Sequence, residues 1–523
     1  MLLMKKKSTF RILTTTDIHG NVLPINYADN REIDYGMSHA STIIKKMRNK
    51  NTVVIDLGDI LQGSPLMYFH QLNRNKYSNP VADVMNHIGY DYFIPGNHDF
   101  NYGLDYLLDF TNNLQAKTLC GNIYKNDDTL LFKKAYDIIK LDNGPKIAII
   151  GLTTQYIPNW ENPAYIKDLV FINAYESLKE YIKTIKEEAD LIVVAYHGGF
   201  ERDIHTKQPY IIDTGENLGS QMIENIPEID VFISAHQHRK IAEVIENKII
   251  VQSGSRAEMV GKIDIEFTFD NKWTVNNKKA ELLLSKDYLP DKKTYCVVKD
   301  IEEQCQIFLD QVIGNVIYDN LEVKDMFKAR LNKHPIVTFI NKVQFEYSKA
   351  MISATSLPNE VTGFSKNITV RNVLSTYIYA NTLTVLEING KILKEILEKN
   401  SEYFICENNQ IKINEKYQYP KVQHYNYDMY EGIDYTINID KDFGSRIEEL
   451  KYQNKEILPD QKFTLVVNNY RASGGGDFLE FKDLKIVRQI PFDITELIID
   501  YIIKHKNIET KPLNNIKIVS ENC

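Results

Sequence analysis

Residues 14–21 read TTTDIHGN, and this stretch decides the fold of the first half of the chain. It closes a β-branched run at 11–16, which predicts a buried strand, and it places Asp17 and His19 directly after that strand. Similar apolar runs occur at 52–55, 92–94, 146–150, 190–195, 231–234 and 248–251, and helical patterns lie between several of them at 39–49, 80–88, 174–188 and 216–226. Alternating strands and helices predict a layered α/β domain.

Polar side chains follow five of the predicted strands. In chain order they are Asp17 with His19, Asp59, Asn97 with His98, His197, and His236 with His238. Ligands collect beyond the carboxyl ends of strands in open α/β sheets, so we expect these side chains to share one cleft. Carboxylate, imidazole and amide donors without a thiolate suit Mn²⁺, Zn²⁺, Co²⁺ or Fe²⁺. A single cation cannot use so many donors, whereas two divalent ions about 3.5–4 Å apart, bridged by an aspartate, can.

The five clusters, in this order and spacing, resemble those of the calcineurin-like metallophosphoesterase superfamily. The resemblance implies a four-layer α/β/β/α domain in which one ion is held by Asp17, His19, Asp59 and His238. It implies that the second ion is held by Asp59, Asn97, His197 and His236. It further implies that His98 contacts the phosphate and stabilises the transition state or protonates the leaving oxygen, while a metal-bound hydroxide attacks phosphorus.

Other polar residues carry weaker signals. A lone histidine is more often a surface or core residue than a ligand, so no role is assigned to His39, His70, His87, His205, His334, His424 or His505. Asp99 follows His98, and the sequence leaves two roles open for it, a helix cap or support for catalysis. Asp99 is therefore left outside the predicted catalytic set.

The length of the chain predicts two domains, because 523 residues exceed what one compact core usually holds. We expect a phosphoesterase domain at 8–285, a helical connector at 286–335 with its clearest helix at 301–312, and a smaller α+β domain at 336–520. Within the second half, the pattern predicts a helix at 390–399 and strands at 383–388, 435–439 and 463–468.

Charge and composition restrict the partners. The net charge is −8, from 62 Lys and Arg against 70 Asp and Glu, so neither nucleic acid nor an anionic membrane is an expected partner. A small nucleotide substrate is expected, and no obligate protein partner is implied. No apolar segment resembles a leader or a membrane span, which predicts a cytoplasmic protein, with export as the alternative if a leader was removed. The five cysteines are scattered and odd in number, which predicts free thiols.

The second half resembles the 5′-nucleotidase C-terminal domain through YIYANTL at 377–383, YNYD at 425–428 and NNYRASGGGD at 468–477. With QGSPL at 62–66, the chain most resembles the bacterial 2′,3′-cyclic-nucleotide 2′-phosphodiesterase/3′-nucleotidases. In that group two aromatic rings sandwich the base, and the matching positions are Tyr379 and Tyr470. Tyr377 is an alternative to Tyr379. Asp477 either reaches the sugar or base of the substrate or is a plain turn residue.

Two departures favour this branch over the 5′-nucleotidases. Residues 353–358 read SATSLP where typical 5′-nucleotidases carry an Asn-Gly-Gly-Gly-Ile-Arg-like segment, and Asn101 stands where many place an aspartate that orients the active-site histidine. We therefore predict a dimetal hydrolase that opens 2′,3′-cyclic nucleotides and then removes the 3′-phosphate. The alternatives are a 5′-nucleotidase or nucleotide-sugar hydrolase and, from another class, an inactive nucleotide-binding protein.

Overall fold

The computed structural model describes residues 6–209, 215–317, 321–379, 381–419, 421–482, 484–490, 492–511 and 513–523. The chain divides into two compact units, Met1–Cys305 and Gln306–Cys523. The division lies inside the stretch 286–335, where the sequence predicts a connector. That stretch contains the first long helix after the β-rich half, and it also contains short strands.

The first unit alternates strands and helices. Its strands are β1 (Lys6–Thr15), β2 (Thr52–Asp56), β3 (Tyr92–Phe93), β4 (Lys117–Thr118), β5 (Ile123–Lys125), β6 (Tyr136–Lys140), β7 (Lys146–Thr153), β8 (Leu169–Phe171), β9 (Leu191–His197), β10 (Val231–Ser234), β11 (Lys240–Ile245), β12 (Lys248–Ser253), β13 (Met259–Asp270) and β14 (Lys272–Leu284). Its helices are α1 (Met37–Met47), α2 (Pro65–Leu72), α3 (Pro80–Ile88), α4 (Leu104–Asn113), α5 (Pro163–Ile166), α6 (Ala174–Ile185) and α7 (Gly219–Asn225), and α8 (Lys292–Leu309) crosses the division. Every strand and helix predicted in this half overlaps an observed one.

Two six-stranded sheets form the centre of the first unit, in the orders β14-β13-β1-β2-β3-β4 and β11-β12-β10-β9-β7-β6. Their facing sides share one apolar core, to which Ile12, Ile55, Val193 and Val231 contribute fully buried side chains. Helices α6 and α7 pack on the other face of the second sheet, and α1 packs on β13 of the first. The predicted α/β/β/α layers are confirmed.

The parallel strands explain why the polar clusters meet. Strands β1 and β2 run parallel, as do β9 and β10, and all seven residues of β9 are buried. Strands buried on both faces read as continuous apolar runs, which is the pattern seen in the sequence. Because parallel strands end at the same edge of a sheet, the residues that follow them lie side by side.

The second unit is a smaller α+β domain. Its strands are β15 (Val312–Val316), β16 (Leu321–Glu322), β17 (Ile352–Ser356), β18 (Gly363–Phe364), β19 (Asn367–Thr369), β20 (Leu383–Asn389), β21 (Phe404–Glu407), β22 (Gln410–Ile413), β23 (Asp428–Glu431), β24 (Asp434–Asn438), β25 (Ile447–Tyr452), β26 (Lys455–Glu456), β27 (Lys462–Asn468), β28 (Ile486–Ile490), β29 (Asn507–Ile508) and β30 (Ile516–Val519). Its helices are α9 (Met326–Leu331), α10 (Pro335–Ser348), α11 (Val370–Thr376), α12 (Gly390–Ser401), α13 (Asn469–Ala472) and α14 (Ile494–His505). The main sheet has the order β23-β17-β27-β20-β28, and α10 packs against it.

A disulfide joins Cys406 in β21 to Cys523, with the two Cα atoms 6.0 Å apart. The expectation that all five cysteines are free thiols is therefore wrong for this pair. The two cysteines are 117 residues apart in the sequence, and only the tertiary fold brings their side chains together. No local sequence pattern can therefore predict the pairing. Cys120, Cys296 and Cys305 lie outside this disulfide and keep their thiols.

None of the helices in the described ranges is long and apolar enough to cross a membrane.

The disulfide predicts the thiol count of the purified protein. Unfolded in denaturant without reductant, the chain should react with a thiol reagent at the three cysteines outside the disulfide, and at all five after reduction. A Cys406→Ser variant should lose about 2–4 kcal/mol of stability against denaturant, because a disulfide restricts the unfolded chain. The exposed Cys296→Ser variant is the control and should unfold like the wild type. Five reactive thiols in protein purified under oxidising conditions would contradict the pairing.

Candidate active site

Six of the predicted ligands form two groups with converging donor atoms. In each group the donor atoms lie within 4.8 Å of one another, and the groups consist of Asp17, His19 and His238, and of Asp59, His197 and His236. The seventh, Asn97, lies beside the second group, with Oδ1 3.3 Å from Nε2 of His197. The structure thus brings all seven side chains to one end of the two sheets. Buried carboxylates and imidazoles in two adjacent groups are a donor set that fits two divalent ions.

Most of these residues adopt an unusual backbone conformation. Five of them have positive φ, namely Asp17 (52°), His19 (51°), Asp59 (52°), His236 (71°) and His238 (56°). Left-handed conformations are uncommon outside glycine and collect at functional sites, where the surroundings hold them. Each turns the chain sharply after a strand, so that neighbouring residues can both point into the same cleft.

Glycine is required where two of the turns touch. A side chain at Gly96 would fall against Oδ1 of Asp59 and the ring of His197. Gly58 is equally close to the backbone at Gly96, and its φ is 80°. Only residues without a Cβ let the turns that carry Asp59 and Asn97 approach this closely.

Backbone carbonyls set the tautomers of two imidazoles. Nδ1 of His19 donates to the carbonyl of Gln62 at 3.0 Å, and Nδ1 of His197 donates to the carbonyl of Leu57. Since Nδ1 carries the hydrogen in each ring, Nε2 is the nitrogen that faces the cluster. For His19 this atom lies 3.2 Å from Nε2 of His238. Such outer hydrogen bonds orient metal-binding histidines and raise their basicity as ligands.

The charges of the two groups stabilise each other. Burial would raise the pKa of Asp17, yet the adjacent His238 holds it below its usual value. Burial would likewise raise the pKa of Asp59, but His197 holds it well below the usual range. Burial lowers the pKa of His19 to about 3, with His98 adding to the effect. Ionised carboxylates and a neutral imidazole are the forms that bind metal ions.

Asp99 fixes the turns that carry Asp59 and Asn97. Its buried carboxylate accepts hydrogen bonds from the backbone N–H groups of Asp59 (3.0 Å), Ile60 (2.9 Å), Leu61 (3.0 Å) and Gly96 (2.7 Å). Burial, together with the Asp59 carboxylate, raises the pKa of Asp99 to about 6. The N-cap of the next helix, α4, is Gly103, so Asp99 supports the site and does not cap that helix.

Two further residues missed in the sequence surround His236. Nε2 of His236 lies 2.7 Å from Oε1 of Glu216, and its ring stacks on Trp160 at a centroid distance of 5.4 Å. Both contacts fix the plane of the imidazole. Neither residue belongs to a motif next to a predicted strand end, so no local signal in the sequence distinguishes them.

His98 lies between the two groups. Its backbone N–H donates to Oδ1 of Asp59 at 2.6 Å, and its ring centroid is 5.2 Å from that of His19. Its Nδ1 is 2.8 Å from Oδ1 of Asn101, the residue that replaces the aspartate of many 5′-nucleotidases. His98 is therefore oriented by the neutral amide of Asn101, beside the two groups of carboxylate and imidazole donors.

In the second unit, the two predicted stacking tyrosines contact a common third ring. Tyr425 makes edge contacts with Tyr379 at 5.8 Å and with Tyr470 at 6.2 Å between centroids. The alternative residue, Tyr377, is only 3% exposed and belongs to the core, whereas Tyr379 is partly exposed. Ala380, in the same motif, lies outside the described residues.

Tyr470 lies in the short helix α13, whose N-terminus is capped by the side chain of Asn468. The buried Arg471 pairs with Asp428 at 2.6 Å and packs on the ring of Phe478, which anchors this segment. Asp477 ends the glycine run at φ 66° and acts electrostatically on nearby Lys416 and Tyr417.

Two family models cover most of the chain. The calcineurin-like phosphoesterase model matches residues 10–240, and the model of the 5′-nucleotidase C-terminal domain matches residues 312–483. A crystal structure from Staphylococcus aureus, of a candidate 5′-nucleotidase in complex with α-ketoglutarate, is 33% identical. It covers 98% of this chain and 100% of its own, with a TM-score of 0.90. The chain belongs to the calcineurin-like phosphoesterase family.

Two bacterial relatives match nearly the whole phosphoesterase. The 2′,3′-cyclic-nucleotide 2′-phosphodiesterase/3′-nucleotidase of Haemophilus influenzae is 26% identical over 95% of this chain and 85% of its own length. The trifunctional nucleotide phosphoesterase protein of Bacillus subtilis is 27% identical over 97% of this chain, but the chain spans only 38% of that protein. As a member of the family, the phosphoesterase is a metal-dependent hydrolase of phosphoric esters, and its two donor groups accord with two divalent ions.

Replacing Asp99 by asparagine should weaken metal binding without removing any ligand. One carboxylate oxygen would become an amide N–H₂, which cannot accept hydrogen bonds from the backbone N–H groups that face it. The turn at Asp59 should therefore loosen. We expect about a 10–100-fold loss of Mn²⁺ affinity, as is usual when a group that orients ligands is lost.

The measurement is calorimetric titration of metal-free protein with Mn²⁺. The matched control is Asp105→Asn on the exposed face of α4, which should bind like the wild type. Wild-type affinity in the Asp99→Asn variant would show that the four hydrogen bonds do not position the ligands.

Proposed function

We propose that this phosphoesterase opens 2′,3′-cyclic nucleotides and then removes the 3′-phosphate to leave a nucleoside. The proposal rests on the convergence of two groups of carboxylate and imidazole donors. His98 lies beside both groups, and its backbone N–H donates a hydrogen bond to Asp59. The Haemophilus influenzae relative, which bears this activity in its name, supports the choice of substrate.

The residues of the first unit would handle the phosphate. When bound, two divalent ions supply Lewis-acid activation of water and of the phosphoryl oxygens. In the proposal one ion is held by Asp17, His19, Asp59 and His238, and the other by Asp59, Asn97, His197 and His236. The donor types favour Mn²⁺, Zn²⁺, Co²⁺ or Fe²⁺. His98 would contact the phosphate through Nε2 and donate a proton to the leaving oxygen.

The tyrosines of the second unit would hold the base. Tyr379 and Tyr470 are proposed to stack on its two faces, which every base can accept because each has a π-face. Tyr425, in edge contact with both rings, would then line the side of the base. Asp477 is proposed to reach the sugar or base.

Two features favour cyclic and 3′-phosphate substrates over 5′-nucleotides. Residues 353–358 replace the glycine-rich, arginine-containing segment of typical 5′-nucleotidases, and 353–356 are buried in strand β17. Asn101 contacts His98 where an aspartate is usual in that group. The 33% identical Staphylococcus aureus structure, a candidate 5′-nucleotidase, favours the alternative, so specificity needs a direct test.

The disulfide is relevant to the cellular compartment in which the protein works. Disulfides persist in oxidising surroundings and are rare in the reducing cytoplasm. Of the two compartments that the sequence leaves open, the Cys406–Cys523 pair favours export.

Comparison of three substrates tests the proposed specificity. With Mn²⁺, kcat/KM should be higher for 2′,3′-cyclic AMP and 3′-AMP than for 5′-AMP, and His98→Ala should lower kcat on both favoured substrates by about 10²–10⁴-fold, the usual contribution of general acid catalysis. A clear preference for 5′-AMP would establish the 5′-nucleotidase alternative. No turnover of any nucleotide with any divalent ion would favour the inactive nucleotide-binding protein.

Removing one stacking ring should weaken nucleotide binding selectively. Tyr470→Ala should lower kcat/KM for 3′-AMP by about 5–150-fold, the equivalent of 1–3 kcal/mol of stacking per base. The loss should be absent with glycerol 2-phosphate, a secondary alkyl phosphate without a base. Tyr419→Ala, at an exposed position of the same unit, is the control. An equal loss on both phosphates would contradict stacking.

A further inference from the structure

A chain of side-chain hydrogen bonds leads away from His98 to a buried carboxylate. Nδ1 of His98 is 2.8 Å from Oδ1 of Asn101, and Nδ2 of Asn101 donates to Oε2 of Glu161 at 2.8 Å. Glu161 is only 8% exposed. It lies 60 positions along the chain from Asn101, in the turn that precedes α5, and no motif marks it in the sequence.

The carboxylate decides which way the amide of Asn101 points. An ionised carboxylate can only accept hydrogen bonds, so the group that faces Glu161 must be the N–H₂ of Asn101. The amide oxygen then faces His98, and the hydrogen between them must sit on Nδ1. Asn101 alone could point either way, since its two ends have nearly the same shape.

The turn that carries Glu161 is well fixed. Oε1 of Glu161 accepts from the backbone N–H of Asn162 at 2.7 Å, and its own N–H donates to the carbonyl of Ile157 at 3.0 Å. The preceding residue, Trp160, stacks on His236. Consecutive residues of one turn therefore support two different histidines of the site.

We propose that Glu161 is a positioning residue, whose carboxylate orients the amide of Asn101 so that this amide holds Nδ1–H of His98. The inference rests on the proposed function, because it assigns His98 the transfer of a hydrogen from Nε2 to the leaving oxygen. With Asn101 in this orientation both ring nitrogens can carry hydrogen. Asn101 and Glu161 together then do what an aspartate next to the histidine does in many 5′-nucleotidases.

A Glu161→Gln variant should reverse the chain of hydrogen bonds. Oε1 of the new side chain still accepts from Asn162, so its N–H₂ falls where Oε2 was and faces Asn101. Asn101 must then turn its oxygen toward residue 161 and its N–H₂ toward Nδ1 of His98. The ring can now carry hydrogen on Nε2 alone, and it cannot pass that hydrogen on without becoming an anion.

The kinetic effect should depend on the leaving group. For 3′-AMP, whose alkoxide leaving group needs a proton, kcat should fall by at least about tenfold, the lower part of the range for general acid catalysis. For 4-nitrophenyl phosphate, whose phenolate leaves unprotonated, kcat should change little. KM and bound Mn²⁺ should stay at wild-type values. Because burial raises the pKa of Glu161 to about 7, the assays belong at pH 8, where the carboxylate is mostly ionised.

Exchanging the amide at position 101 and the carboxylate at position 161 should restore the activity. In the double variant Asn101→Asp, Glu161→Gln, the glutamine N–H₂ donates to the new aspartate, which accepts from Nδ1 of His98. We expect kcat on 3′-AMP to return to within about threefold of wild type, since every donor again faces an acceptor. The control, Glu176→Gln on the exposed surface of α6, should behave like the wild type on both substrates.

Other results would overturn the inference. Wild-type kcat on 3′-AMP in Glu161→Gln, equal losses on both substrates, or no recovery in the double variant would each exclude a positioning role. If the wild type turns over no nucleotide, the proposed function fails separately. The ¹⁵N spectrum of histidine-labelled protein still tests Glu161, with His98 assigned by its loss in His98→Ala. Nδ1 should be protonated in the wild type, bare in Glu161→Gln and protonated again in the double variant; an unchanged tautomer would refute the inference.

Discussion

The turn at Asp59 is the constraint on which the rest of the site depends. Its carbonyl accepts from the backbone of His19 at 2.8 Å, its carboxylate accepts from the backbone of His98, and its other carboxylate oxygen is 3.4 Å from Nε2 of His197. Three separate loops are therefore attached to one residue. Asp99 in turn accepts a hydrogen bond from the backbone N–H of Asp59. A displacement of Asp59 would therefore shift most of the donor side chains.

This arrangement requires a strained backbone. Left-handed conformations at non-glycine residues cost on the order of 1–3 kcal/mol each, and five donors adopt them. Compensation comes from hydrogen bonds between the turns, such as that from the backbone of Asp17 to the carbonyl of Gly58 at 2.9 Å. The two mixed sheets beneath, whose central strands are parallel, provide the rigid support. Part of the folding free energy is thus given up to hold the donor side chains in place. Such a cost is common where ions or substrates must be bound in a fixed geometry.

The sequence predicted the layers and the donors because both depend on local patterns. Apolar runs followed by Asp17, His197 or His236 can be recognised without knowing how the chain folds. The supports of the site depend on contacts between distant segments. Glu161 meets Asn101, and Cys406 meets Cys523, only after folding, and no spacing rule connects them. Asp99 stood next to a recognised motif, yet its role became clear only from the four N–H groups around it.

In the proposed function, Asp59 joins two ions into one centre. Electron paramagnetic resonance of metal-free protein titrated with Mn²⁺ can detect this arrangement, because two ions that share a carboxylate ligand are magnetically coupled. We expect two Mn²⁺ per chain with an exchange-coupled spectrum, and loss of that coupling in Asp59→Ala. A single bound ion, or two ions with independent spectra in the wild type, would contradict it.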